Sequence, residues 1–110
     1  MKIELTASAA RHARTIDAWW HANRPAATGL FSEELSAALE ALAAVPLSGL
    51  IVRLRGADGV RRVVLRSTRH HVYYRVEKDT VTVVAIWSAV RGRGPTPAEL
   101  RGRTPRPRKR

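Results

Sequence analysis

Apolar and polar positions alternate along the chain with two different periods, and the switch between them divides it. "KIEL" (Lys2 to Leu5) alternates over four residues and predicts a first strand. From Thr6 the spacing lengthens. Ala9, Ala13, Ile16 and Trp20 recur at helical intervals, with Thr6 or Ser8 placed to accept a hydrogen bond from a first-turn N–H and Pro25 to stop the helix. A second helix is expected from about Thr28 to Ala44. Its apolar stripe is Phe31, Leu35, Ala38, Leu39 and Leu42, with Glu33, Glu34 and Glu40 on the wet side, and Pro46 and Gly49 end it. Two helices with so short a connection predict a helical hairpin.

The period then drops to two. In "LIVRLRGADGVRRVVLRST", Val52 and Leu54 oppose Arg53 and Arg55, and "GADG" supplies a turn whose glycines allow positive φ. The returning strand sets Arg62, Val64 and Arg66 against Val63 and Leu65. "HHVYYRV" sets Val72, Tyr74 and Val76 against His71, Tyr73 and Arg75. "EKDT" turns the chain into "VTVVAIW", apolar on both faces except at Thr82, and therefore expected to lie inside the sheet. The order β-α-α-β-β-β-β predicts an α+β sandwich of two layers, an antiparallel sheet carrying the helical hairpin on one face.

From Arg91 onward Gly, Pro and Arg dominate without apolar periodicity. Such a run buries too little surface to offset its ordering entropy, so residues 1–92 are expected to form one domain and 93–110 a basic disordered tail. Trp87 is expected to close the core at the end of the last strand.

Length and composition narrow the class. The 110 residues are 45% hydrophobic, which suits a single modest core. With no cysteine, disulfides and thiolate metal sites are excluded. No apolar run is long enough to span a membrane, and the first residues lack the apolar stretch of a signal peptide, so a cytoplasmic protein without a membrane partner is expected.

Charge changes the picture more. The net charge is +11, and residues 91–110 carry +7 of it, eight Arg or Lys against Glu99 alone. Seventeen of the twenty basic residues are Arg, whose guanidinium binds phosphate or carboxylate in bidentate fashion. Polyanionic partners follow, either nucleic acid or an acidic protein segment. A genome rich in G and C also yields an Arg-rich, Lys-poor chain, and that reading stays open for the tail.

Candidate chemistry is sparse. Arg53, Arg55, Arg62 and Arg66 alternate on consecutive strands and are expected to share an anion-binding face, because stability alone would favour interleaved acids. The alternative is a merely solvated face. His70 and His71 point to opposite sides of a strand and cannot jointly hold a metal, and His12 and His21 do not stack on their helix. Neither a metal nor a cofactor is expected. A strand histidine such as His71 is a candidate general base, against the plainer role of a hydrogen-bonded surface residue. Tyr73 is the more available of the two tyrosines for stacking on bases, whereas Tyr74 shares the apolar face. Of the adjacent Trp19 and Trp20, one is expected to be exposed. No serine lies in a nucleophile motif.

Four phrases, "IDAWWHANRP", "FSEELSAALEALAAVPLSG", "GVRRVVLRSTRHHVYYRV" and "VTVVAIWSAVRGRGP", resemble in order and spacing the RelE/ParE family of type II toxin–antitoxin toxins. The resemblance spans most of residues 2 to 95. It implies a small sheet against a helical hairpin and a growth inhibitor neutralised by a cognate antitoxin, whose wrapping segment is expected here to be acidic. RelE-like members cleave mRNA on the ribosome with basic residues and a Tyr or His near the chain's end. By that resemblance Arg53, Arg55, Arg62 and Arg91 occupy the basic positions, but no Tyr or His follows Arg91. ParE-like members inhibit DNA gyrase by binding and need no catalytic set. Gyrase inhibition is therefore the leading expectation. The alternatives are a ribosome-dependent mRNA endonuclease using Arg62, Arg91 and His71, and a non-toxic nucleic-acid-binding module. A toxin–antitoxin hetero-oligomer is the expected assembly.

Overall fold

The computed structural model describes residues 1–89, 95 and 97–100. Strand β1 is Lys2–Leu5, followed by helix α1 (Ala7–Asn23), a 3-10 turn at Pro25–Ala27 and helix α2 (Leu30–Ala44). A second 3-10 turn at Pro46–Ser48 leads into β2 (Leu50–Ile51), β3 (Val60–Leu65), β4 (His70–Glu77) and β5 (Thr80–Ser88), and a helical turn, α3, covers Pro97–Leu100.

The α+β class is as expected. The sheet is mixed rather than antiparallel throughout. Its order is β1-β5-β4-β3-β2, with β1 parallel to β5 and every other pair antiparallel. Connectivity dictates this. Two helices return the chain to the end at which β1 finished, so β2 runs against β1, and three hairpin reversals then leave β5 running with it.

Thr6 caps α1, its Oγ1 accepting from Ala9 N–H at 3.1 Å, while its own N–H donates to Val83 O at 3.0 Å and ties the cap to β5. The stripes Ala9–Ala13–Ile16–Trp20 and Phe31–Leu35–Ala38–Leu39–Leu42 meet one sheet face, presented by Leu65, Val72, Tyr74, Val81, Val83 and Ile86. Burial of such side chains is the main source of stability, about 1.5–3 kcal/mol for each large one. Glu34 departs from the expected wet side. It accepts hydrogen bonds from Ser67 N–H (2.8 Å), Thr68 N–H (3.0 Å) and Thr68 Oγ1–H (2.7 Å), and so pins α2 to the β3–β4 turn.

A second cluster fills the far side of the sheet: Ala57, Val60, Tyr73, Val84, Ala85 and Leu100. Tyr73 opposes Ala85 and Tyr74 opposes Val83, so Val84 is bulged out of the ladder between them. Trp87 is half-buried and packs against this far cluster rather than closing the main core.

Two expectations fail here. The second strand stops at Ile51 instead of running through Arg55, because Ala57 is fully buried in the far cluster and draws the loop out of the ladder. Gly56 and Gly59, at φ 85° and 80°, provide the left-handed residues that this loop requires. The expected structureless tail contains order as well: Pro95 is buried, and Pro97–Leu100 forms a turn whose Leu100 is 1% exposed. The apolar atoms of Leu100 find a face already half-built by Tyr73 and Val84. The rest of the tail, residues 93, 94, 96 and 101–110, lies outside the described residues. Among the described residues no helix is long and apolar enough to cross a membrane.

Candidate functional site

The predicted arginine set does not assemble as one face. Arg53 and Arg55 sit exposed on the loop after β2, outside any ladder. Arg62 lies within β3, opposite Leu50 of β2 and Tyr73 of β4, and points to the far side. Arg53 and Arg62 do converge. Together with Leu50, Ile51 and Tyr73 they line a groove of about 460 Å³, and Pro95 and Leu100 close one wall. Arg66 is exposed beyond the end of β3 and lines a different depression with Val64 and Arg69. Arg91 lies outside the described residues.

Tyr73 is 5% exposed, buried by the far cluster, so its ring is not open to stack on a base. This corrects the expectation that it is the available tyrosine. His71 stands beside it, ring centroids 6.0 Å apart and edge to face. Burial, then the charge of Arg62, holds the His71 imidazole below its usual pKa. A neutral imidazole and a guanidinium are thus neighbours on the far face. That pair can accept a proton and bind an anion.

Two strand arginines have structural roles. Arg61 Nη1 donates to Leu47 O at 3.2 Å and to Gly49 O at 2.9 Å. Arg75 donates through Nη1 to Asp58 O (3.3 Å) and through Nη2 to Leu100 O (3.0 Å), which ties the "GADG" turn and the C-terminal turn to the sheet.

Beside the Arg53–Arg62 groove the sheet edge is apolar and uncovered. Val45, Leu47, Leu50 and Ile51 are 58%, 62%, 69% and 53% exposed, and β2 ends the strand order. A bare edge strand with apolar side chains is a template for another chain.

Sequence reasoning missed a second concavity. A groove of about 790 Å³ runs between α1 and the ends of β4 and β5. Residues 11, 12, 15, 16, 19 and 20, all on its α1 wall, fall at helical spacing, and that was the available signal. His12 Nδ1 accepts from Ile86 N–H at 3.2 Å, and its ring meets Trp87 edge to face at 5.7 Å. Burial lowers the pKa of His12, Arg11 adds to this, and Glu99 opposes it. Burial likewise lowers that of His70, whose Nδ1 is buried with no hydrogen-bond partner. Of the two adjacent tryptophans, Trp20 packs on the core and Trp19 is 48% exposed, as expected.

Known proteins resemble this chain in family and fold. The family model described as "ParE toxin of type II toxin-antitoxin system, parDE" matches residues 3–92. A chain of the solved "Chromosomal ParDE TA system from P. aeruginosa" superposes with a TM-score of 0.67 at 18% identity, covering 80% of this chain and 95% of that one. No curated protein sequence matches significantly. The fold likeness and the family match over nearly the whole described domain agree, and the chain belongs to the ParE toxin family of type II toxin–antitoxin systems.

Proposed function

We propose that this toxin arrests growth by binding DNA gyrase, without catalysis, and that a cognate antitoxin neutralises it. The dispersal of the predicted cationic set carries this reading. Arg53 and Arg62 meet at one groove, Arg66 stands apart, and the ring of Tyr73 is buried, so of this set Arg62 alone stands beside a candidate proton-transfer group, His71. General acid–base loss costs an endonuclease about 100-fold or more, whereas a binding inhibitor needs only surface. The bare edge at Leu50 and Ile51, flanked by exposed Arg53 and Arg55, suits an acidic antitoxin segment with alternating apolar residues, added as a strand beside β2. Supercoiling by purified gyrase is the test. Inhibition at micromolar toxin, relieved by the antitoxin, is expected. Undisturbed supercoiling at that level sinks the proposal.

The Arg62–His71 pair favours a second reading, a ribosome-dependent mRNA endonuclease. It requires new mRNA ends by primer extension during translation, abolished by Arg62→Ala.

A further inference from the structure

The groove along α1 has a composition that antitoxin docking at β2 leaves unused. Three guanidiniums, those of Arg11, Arg24 and Arg69, line it. Among the described residues none of the three has a carboxylate within ion-pair distance; the ion pairs present are Lys2–Glu4 and His21–Asp17. Arg11 makes one long contact, Nη2 to Ser8 Oγ at 3.4 Å. Arg24 lies over the rings of Trp19 and Trp20, 5.4 and 5.9 Å from their centroids. The two indoles themselves meet edge to face at 5.7 Å, so aromatic surface adjoins uncompensated positive charge. The volume, about 790 Å³, lies within the range of small-ligand sites.

We propose that this groove binds a nucleoside phosphate, with the base against the exposed indole of Trp19 and the phosphate held by Arg24 and Arg69. The chemistry matches on both counts. Guanidiniums grip phosphate oxygens in pairs, and an indole stacks any base without regard to sequence. His70 also lines the groove wall. The ligand can be a free nucleotide or the phosphorylated end of a single strand, since both present the same base and phosphate. Neither source depends on what the toxin's target is.

Binding is read from tryptophan fluorescence of the full chain, titrated with ATP, with 5′-phosphorylated tetrathymidylate and with pyrophosphate. Saturable sub-millimolar binding is expected. Trp19→Ala should weaken it about tenfold and Trp19→Phe much less. Arg69→Ala should weaken it by a similar factor, while Arg14→Ala, an exposed α1 arginine outside the groove, should change it less than about twofold. ATP outcompeting the oligonucleotide identifies a free nucleotide; the reverse order identifies a strand end. Because the chain carries +11, diffuse attraction is the rival explanation. Pyrophosphate binding as tightly as ATP, Arg14→Ala weakening as much as Arg69→Ala, or no saturation at all would overturn the proposal. Trp19 is half-exposed and Arg69 exposed, so both variants are expected to fold, and an unchanged far-ultraviolet spectrum checks this.

Discussion

Tyr74 and Gly49 are locked to each other: the buried phenol accepts from Gly49 N–H at 2.9 Å and donates to Pro46 O at 2.7 Å. A Cβ on Gly49 would stand 2.5 Å from Tyr74 Oη and 2.9 Å from Arg62 O. The glycine is there for close approach, since the turn into β2 has to pass against the tyrosine and the β3 backbone. Tyr74→Phe leaves a buried N–H without its partner and should cost about 1–3 kcal/mol. Gly49→Ala should cost about as much through overpacking. The double variant should cost less than the sum, because the nearest clashing atom is gone, yet remain less stable than Tyr74→Phe, because the ring Cε1 at 2.8 Å and Arg62 O at 2.9 Å still obstruct. Urea midpoints of the four proteins decide this. A neutral Gly49→Ala would show that the turn relaxes freely.

Glu34 joins α2 to the β3–β4 turn by three hydrogen bonds. Burial pushes its pKa up, but the bonds from Thr68 and Ser67 outweigh that and leave it below the usual value. Glu34→Gln should destabilise by about 1–2 kcal/mol, since an amide nitrogen cannot accept where a carboxylate oxygen did. Hydrogen exchange at Ser67 and Thr68 should rise more than exchange in β5, because the loss is local. Equal acceleration in both places would mean that the contact serves the whole fold.

Acid should weaken the fold in two stages. His12, His70 and His71 all have folded pKa values below the ordinary 6.5, chiefly because burial disfavours the charged ring. The unfolded chain then binds more protons, so their contribution is complete above 6.5 and is lost as pH falls below it. Glu34, lowered from 4.5, adds a second loss below that value. His12 has the clearest mechanism: protonation replaces its Nδ1 acceptor with a donor facing Ile86 N–H. Chemical denaturation from pH 7.5 to 5 should show falling stability, with a shallower slope for His12→Phe. A flat profile over that range contradicts this reading.

How far the chain could be read in advance depends on what each residue's pattern encodes. The helix stripes from Ala9 to Trp20 and from Phe31 to Leu42 were legible because helical periodicity reports a buried face directly. Alternation also set Tyr73 against Tyr74 and Arg62 against Val63, and correctly so. It could not say that Leu100 would cover Tyr73, because alternation fixes a side chain's face and not what lies over it. Arg53 and Arg55 alternated convincingly but left the ladder, since one buried alanine in "GADG" outweighed the pattern. The parallel β1–β5 pair was implicit in a connection of two helices. The roles of Arg61 and Arg75 left no signal in the pattern, because only tertiary structure brings carbonyls to them.

Arg62 gives the sharpest separation of the two toxin readings. Its guanidinium lies at the Arg53 groove and close enough to His71 to depress that imidazole. If the pair moves protons in RNA cleavage, Arg62→Ala and His71→Gln should each reduce growth arrest strongly, about 100-fold in cleavage rate. If the toxin only binds gyrase, His71→Gln should leave arrest intact, and Arg62→Ala should weaken it in proportion to lost affinity. Induction in a bacterial host, with growth, plasmid supercoiling and mRNA ends followed together, distinguishes these. The gyrase reading expects altered supercoiling, intact mRNA and a tolerated His71→Gln.

The uncovered edge of β2 leads to the last prediction. Ile51 is 53% exposed at the end of the sheet, so Ile51→Lys should fold normally while placing a charge where an incoming strand needs an apolar contact. Growth arrest should persist if target and antitoxin use different surfaces. Neutralisation by co-expressed antitoxin should be lost, and copurification of the pair with it. Arg55→Glu, on the exposed loop beside that edge, should weaken the same association through like-charge repulsion with an acidic segment, more at low salt than at high. Unimpaired rescue of Ile51→Lys would move the antitoxin to another face of the molecule.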